Sequence, residues 1–210
     1  MKVAICIPCH GDTKADLTFS LSRLVAYSVR HDPALEVETL IARSSILVQP
    51  RTRLFEWSGE WGADYILWLD SDHSFPPQAL LRLLNHRLFI VGANYPRRSK
   101  DLIPVAVKKG PSGRWDLVDT NAKKVSNDHV ETVDRIGFGF LLMNVRAVIQ
   151  ALGDPLYPIF ETTSLPNGEF IGEDSLFCDR MRAGNLEIYV DHMLSSKIGH
   201  VSEEILLFKD

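Results

Sequence analysis

Long apolar runs are missing from this sequence. None approaches the roughly 18 residues that a bilayer-spanning helix needs, which excludes a transmembrane segment. The first twelve residues, MKVAICIPCHGD, hold one lysine and a short apolar run, Val3 to Ile7, with no small-residue cleavage site. That is too little for a secretory signal, so the expectation is a cytoplasmic protein. Cysteine is scarce as well, at three residues. An odd number without an export signal suits a reducing compartment better than a disulfide framework. Blocks of like charge are also lacking: Lys and Arg number 23 against 27 Asp and Glu, for a net charge of -4 and a pI near 6.0. Diffuse attraction to nucleic acid or anionic membrane is excluded, although a local basic patch is not.

What is present is the composition of a folded soluble domain, 45% apolar and 24% charged over 210 residues, with 11 prolines spread along the chain. That length supports one compact domain and is short for two. Val3 to Ile7 is continuously apolar up to Pro8, as in a strand buried on both faces. Leu17, Leu21, Leu24, Val25 and Ser28 then recur at helical spacing until His31-Asp32-Pro33. EVETLIARS reads as a second strand, PRTRLFEWSGEW as a second helix, and DYILWLD as a third strand. Ser74 with Pro76 and Pro77 predicts an N-cap and first turn for a helix over PPQALLRLLNHR, leading into the strand LFIVGAN. Four strands alternating with three helices in the first hundred residues predict a doubly wound parallel sheet. Beyond residue 101 the pattern changes. IPVAVKKG and RWDLVD form a hairpin around Pro111 to Gly113, VDRIGFGFLLMN is a strand carrying two glycines, and a short helix covers 145 to 152. The fold class is therefore α/β, with a parallel sheet in the N-terminal half becoming mixed in the C-terminal half. The chain divides into a nucleotide-binding half, 1–100, and an acceptor and catalytic half, 101–210, of one domain.

The chemistry gathers at Asp70-Ser71-Asp72. Ligands of open parallel sheets collect at the carboxyl ends of strands, where this triplet sits. Two carboxylates about 4 to 5 Å apart repel by several kcal/mol at intermediate dielectric, and a divalent cation relieves that repulsion. Hard oxygen ligands with open positions suit Mg2+ or Mn2+. A lone Asp-x-Asp is nonetheless a frequent pattern, and Asp72 could simply cap the coming helix. Further along, Glu173 and Asp174 open a helix that stops at Gly184. Two acids there could serve only the helix dipole, at about 0.3 to 1 kcal/mol each. Near the end, KIGH closes on His200, a residue type able to complete a Mn2+ site when neutral.

Taken together, VAICIPCHG, Asp70-Ser71-Asp72, GFGFLLM, GEDSLFCDRM and the late His200 resemble the glycosyltransferases of the GT-A fold, especially glycosyltransferase family 2, over nearly the whole chain. The resemblance implies a Rossmann-like single domain and transfer of a sugar from a nucleoside-diphosphate donor, UDP by preference, to an acceptor hydroxyl, with inversion. It implies that Asp70 holds the ribose or sugar of the donor with Ser71 beside it, that Asp72 and His200 ligate the metal in company with Asp70, and that Asp174, next to Glu173, is the base. Pro8 and His10 would line the base pocket, and Arg51 would help bind the nucleotide, where Arg51 and Arg53 could equally be solvated. The acceptor is left open among glycans, proteins, small molecules and a phage-type modified DNA base, as is the oligomeric state.

Smaller features carry alternatives. Gly137 and Gly139 flank Phe138 and mark either a sugar or acceptor subsite or tight packing. Among Trp57, Trp61, Trp68 and Trp115 there could be sugar-stacking platforms, Trp68 being most simply core. Cys6-Ile7-Pro8-Cys9 has thioredoxin-like spacing, but Cys6 lies inside a strand and not at a helix start. Cys178 reads as core. The rival enzyme class is the haloacid dehalogenase-like phosphatases, whose Asp-x-Asp follows the first strand, whereas two strand-helix units precede Asp70 here. The rival outside enzymes is a non-catalytic nucleotide-sugar or carbohydrate binding domain.

Overall fold

The computed structural model describes residues 1–98, 101–123, 130–153, 158–201 and 205–206. In chain order, β1 (Lys2–Cys9) leads through α1 (Ala15–His31) to β2 (Glu36–Arg43), and α2 (Val48–Trp61) leads to β3 (Tyr65–Leu69). A two-residue strand, β4 (His73–Ser74), precedes α3 (Ala79–Asn85) and β5 (Ile90–Gly92). The hairpin of β6 (Val107–Lys109) and β7 (Trp115–Leu117) follows, then α4 (Thr120–Lys123), β8 (Val130–Val133) and β9 (Phe140–Asn144). After α5 (Val145–Leu152) come β10 (Thr163–Ser164), β11 (Phe170–Ile171), α6 (Glu173–Ala183) and β12 (Ile188–Asp191). The described chain ends with α7 (His192–Ser195), β13 (Gly199–Val201) and β14 (Ile205–Leu206).

Seven strands form the central sheet in the order β2-β1-β3-β9-β5-β12-β8. β1 pairs in parallel with β2 and β3, and β5 with β12. Two core layers account for the continuous apolar strands. Val3, Ile5 and Ile7 face α1 and α3 together with Leu67 and Leu69. Ala4, Cys6, Ile66 and Trp68 face the opposite layer with Leu54, Phe138 and Phe177. Successive strand residues point to opposite faces, and here both faces are covered, so alternation disappears from the sequence. The α/β class, the four N-terminal strands and the 107–117 hairpin are as expected.

Three expectations need correction. The first half is not a self-contained parallel sheet, because β9 from the second half lies between β3 and β5 and runs antiparallel to both. The expected strand over 133–144 is broken. Val133 ends β8, the chain turns at Phe138–Gly139, and Phe140–Asn144 re-enters the sheet as a separate strand, β9. Finally, Ser74 does not cap α3, which begins at Ala79 after Gln78. His73 and Ser74 are drawn instead into backbone pairing with His200 and Gly199 of β13, and that ladder outweighs the local cap.

Candidate active site

β3 delivers Asp70 to the carboxyl edge of the sheet. The Asp70 amide donates to the Gly139 carbonyl at 3.1 Å, which fastens the turn. The chain then bends so that Asp72 is buried and His73 starts β4, directly opposite His200 on β13. This register brings residues 128 apart in sequence within reach: His200 Nε2 lies 3.1 Å from Asp72 Oδ2. His200 Nδ1 lies 3.1 Å from the Pro96 carbonyl, an acceptor only, so the proton belongs on Nδ1 and the Nε2 lone pair faces Asp72. Two acceptors facing each other demand a cation or a proton between them. Arg98 supplies one charge, its Nε donating to His200 Nε2 at 2.9 Å and its terminal nitrogen pairing with Asp72 Oδ2.

His73 completes the group. Its ring is fully buried, stacks on His200 at 4.7 Å and meets the Tyr95 ring edge-on at 4.4 Å. Neither ring nitrogen has a hydrogen-bond partner, although Nδ1 stands 3.5 Å from Asp72 Oδ1. Burial depresses the His73 pKa to about 4, against the pull of Asp70 and with the help of His200. Burial likewise lowers that of His200, with Pro96 opposing and Arg98 adding to the shift. Both rings are therefore neutral at pH 7, the form that ligates metal. Asp72, His73 and His200 each offer a ligand atom, all within 4.8 Å of one another.

Asp70 stands apart from that triplet. Its Oδ1 accepts from Arg51 at 3.2 Å, and Arg51 Nε donates to Glu173 Oε1 at 3.2 Å. Arg51 is 2% exposed, clamped between the rings of Trp68 and Phe138 at 5.4 and 5.0 Å. It thus lies beneath the site and joins two acids, and is not placed to touch a nucleotide directly. Glu173 faces the same guanidinium; burial raises its pKa, Arg51 lowers it and Asp174 raises it, with a net rise. Asp174 is the acid that opens on the cleft. The cleft holds about 560 Å³ and is walled by Asp70, Tyr95, Arg98, Trp115, Asp174 and His200.

The remaining candidates separate. Gly137 lines the cleft. Gly139 is shaped by packing, because a Cβ there would come within 2.5 Å of the Tyr95 hydroxyl and 2.6 Å of His73 Cε1. Its amide donates to that hydroxyl at 2.7 Å. Phe138 is 1% exposed and belongs to an aromatic core with Trp68, Phe160 and Phe177. Pro8 is buried and His10 exposed at the end of β1, and the Ser71 carbonyl accepts from the Lys14 amide at 3.0 Å. The redox alternative for Cys6 and Cys9 fails. Both are buried, and burial pushes the Cys6 thiol up to about 12 despite Ser58 and Arg51, opposite to a reactive thiolate. Sequence reasoning missed His73, Tyr95 and Arg98. The signals were an imidazole next to Asp72 and the Tyr95-Pro96-Arg97-Arg98 stretch at the carboxyl end of β5.

No family model matches the chain, and no curated protein does. Solved structures do. A197 from STIV superimposes with a TM-score of 0.56 at 19% identity, covering 100% of this chain and 95% of that one. GalNAc-T7, solved with UDP, GalNAc and Mn2+, gives 0.57 at 11% identity, over 96% of this chain and 44% of that one. The Drosophila β-1,4-galactosyltransferase 7, in complex with manganese, UDP-Gal and xylobiose, gives 0.50 at 15% identity, over 96% and 71%. The fold is therefore that of GT-A glycosyltransferases. No helix among the described residues is long and apolar enough to cross a membrane.

Proposed function

We propose that this chain, acting as one domain, is a metal-dependent glycosyltransferase that moves a sugar from a nucleoside-diphosphate donor, UDP-linked, to an acceptor hydroxyl with inversion. The observation that carries this reading is the meeting of Asp72 and His200 at 3.1 Å, on the sheet edge where Asp70 and Asp174 open on one cleft. The donor set fits a divalent ion: a buried carboxylate, a His200 lone pair aimed at it, and a fully buried His73 with no partner on either nitrogen. Two imidazoles favour Mn2+ over Mg2+. When bound there, the ion supplies Lewis-acid neutralisation of the diphosphate leaving group.

The protein's own groups do the rest. Asp174 accepts the proton of the acceptor hydroxyl, whose oxygen forms the new bond to the anomeric carbon while the bond from that carbon to the diphosphate oxygen breaks. Asp70 orients the donor's ribose or sugar, and Arg51, anchored from below with Glu173, fixes the direction of the Asp70 carboxylate. Ser71, Pro8, His10 and Gly137 complete the donor and acceptor walls in this reading.

The test is a donor panel. Release of nucleoside diphosphate from several nucleotide sugars is measured with Mn2+ and with chelator, in the presence of candidate glycan acceptors. Release from one donor, abolished by chelator, supports the reading. Asp174→Asn then separates a transferase from a binding domain: transfer falls by about 100-fold or more with donor affinity kept. Unchanged turnover in that variant overturns the assignment of the base. Phosphate release from phosphomonoesters would favour the phosphatase alternative instead.

A further inference from the structure

We propose that Arg98 is a built-in occupant of the cation position, and that it passes to the donor diphosphate when a divalent ion takes that position. This rests on the reading of Asp72 and His200 as cation ligands. The guanidinium binds the same two atoms that would ligate the ion: its Nε donates to His200 Nε2 at 2.9 Å, and its terminal nitrogen pairs with Asp72 Oδ2. Nε2 has one lone pair, so guanidinium and metal exclude each other there.

The two partners differ in what separation costs them. The Asp72 side chain is 5% exposed, whereas that of Arg98 is 64% exposed. A buried carboxylate left without a cation suffers a large desolvation penalty, while an exposed guanidinium returns to water at little cost. The arm therefore leaves by exchange as the metal arrives, and Asp72 is never left bare. The same loop also orients the ligand, since the Pro96 carbonyl, two residues earlier, holds His200 Nδ1. Arg98 lines the same cleft as Asp70 and Asp174, so a displaced guanidinium has only to swing within it. The charge that matches it there is the diphosphate, which a planar fork of N–H donors grips in bidentate fashion.

The experiment compares the unsubstituted 210-residue chain with Arg98→Ala and Arg98→Lys by titration calorimetry and Mn2+ paramagnetic resonance, first with Mn2+ alone and then with UDP at saturating Mn2+. An arm closed about nine-tenths of the time lowers the apparent Mn2+ affinity about tenfold. Arg98→Ala is therefore expected to bind Mn2+ about tenfold more tightly, and UDP about tenfold more weakly through loss of a charged hydrogen bond. Arg98→Lys should fall between, keeping the charge without the fork. Equal or weaker Mn2+ binding by Arg98→Ala overturns the occupancy, and unchanged UDP affinity overturns the passage to the diphosphate. Should none of the three folded proteins bind Mn2+, the reading of Asp72 and His200 as ligands falls and the role of Arg98 with it. Equal, tight binding by all three removes Arg98 alone.

Discussion

Two carboxylates stand at the same edge of the sheet, at the ends of β3 and β12, and the fold treats them in opposite ways. Asp191 is fully buried and saturated. Arg82 grips it through Nε and through a terminal nitrogen at 3.0 Å, His86 Nε2 lies at 2.8 Å, and the Leu194 amide donates at 2.9 Å. Burial pushes its pKa up, but the bonds from His86, Arg82 and Leu194 prevail and hold it below the ordinary value. Asp72 is buried almost as deeply, yet it faces a His200 acceptor, an imidazole with no partner and one exposed arginine arm. A carboxylate with every lone pair answered from within the chain fastens α3 to β12 and has nothing left to offer. One surrounded by unanswered donors and acceptors is open to something from outside. Completeness of hydrogen bonding therefore separates scaffold from site more sharply than residue type, since both clusters contain Asp, His and Arg.

That contrast can be broken at several points. Asp191→Ala removes the buried acceptor that Arg82 and His86 share and is expected to cost about 3–5 kcal/mol, read as a lower urea midpoint, with Mn2+ affinity unchanged in the folded fraction. A stability loss no larger than that of an ordinary surface substitution would dissolve the distinction. The next effect is with pH. His73 titrates near 6.5 when unfolded and about 4 when folded, so between those values the unfolded chain holds more protons. Stability is full above pH 6.5 and falls as acid is added, by about 3 kcal/mol at pH 4. Urea titrations across that window should show the decline, and His73→Leu should remove this share of it. Gly139→Ala, which drives a methyl into Tyr95 and His73, is expected to cost about 1–3 kcal/mol and to weaken Mn2+ binding with it. The smallest change is the most discriminating. At pH 7, His73→Leu replaces an unpartnered buried ring, so calorimetry should find the protein as stable as before or steadier by about 1 kcal/mol, while Mn2+ affinity drops. A marked loss of stability would make His73 an ordinary core residue.

The strands were legible because Val3 to Ile7 and Tyr65 to Leu69 are buried on both faces, and a short apolar run bounded by polar turns suits a strand covered from both sides. The place of β9 was not legible. Which strand fills a gap in a sheet is decided by long-range packing, and the apolar face of Phe140 to Asn144 suits several neighbours. The acids and His200 were legible as residue types, and their joint meaning came from the resemblance and not from spacing. His73 escaped notice because its role depends on β4 pairing with β13, while local signals at Ser74 and Pro76 pointed to a helix start. Arg51, at a helix front, reads from the sequence as a nucleotide contact or a solvated residue. Only the closure of Trp68 and Phe138 around it shows that it is internal. Phe138, between two glycines, read as near a ligand and is in fact core, because the close approach that requires Gly139 comes from Tyr95.

The antiparallel course of β9 has a consequence for synthesis. β3 and β5 are not each other's neighbours, and the slot between them is filled only by Phe140–Asn144. A nascent chain stopped near residue 100 would leave one edge of β3 and both edges of β5 unpaired, with half a core. The first hundred residues therefore have to wait for the C-terminal portion before they can consolidate, and a fragment ending there should emerge from the ribosome collapsed and prone to aggregate.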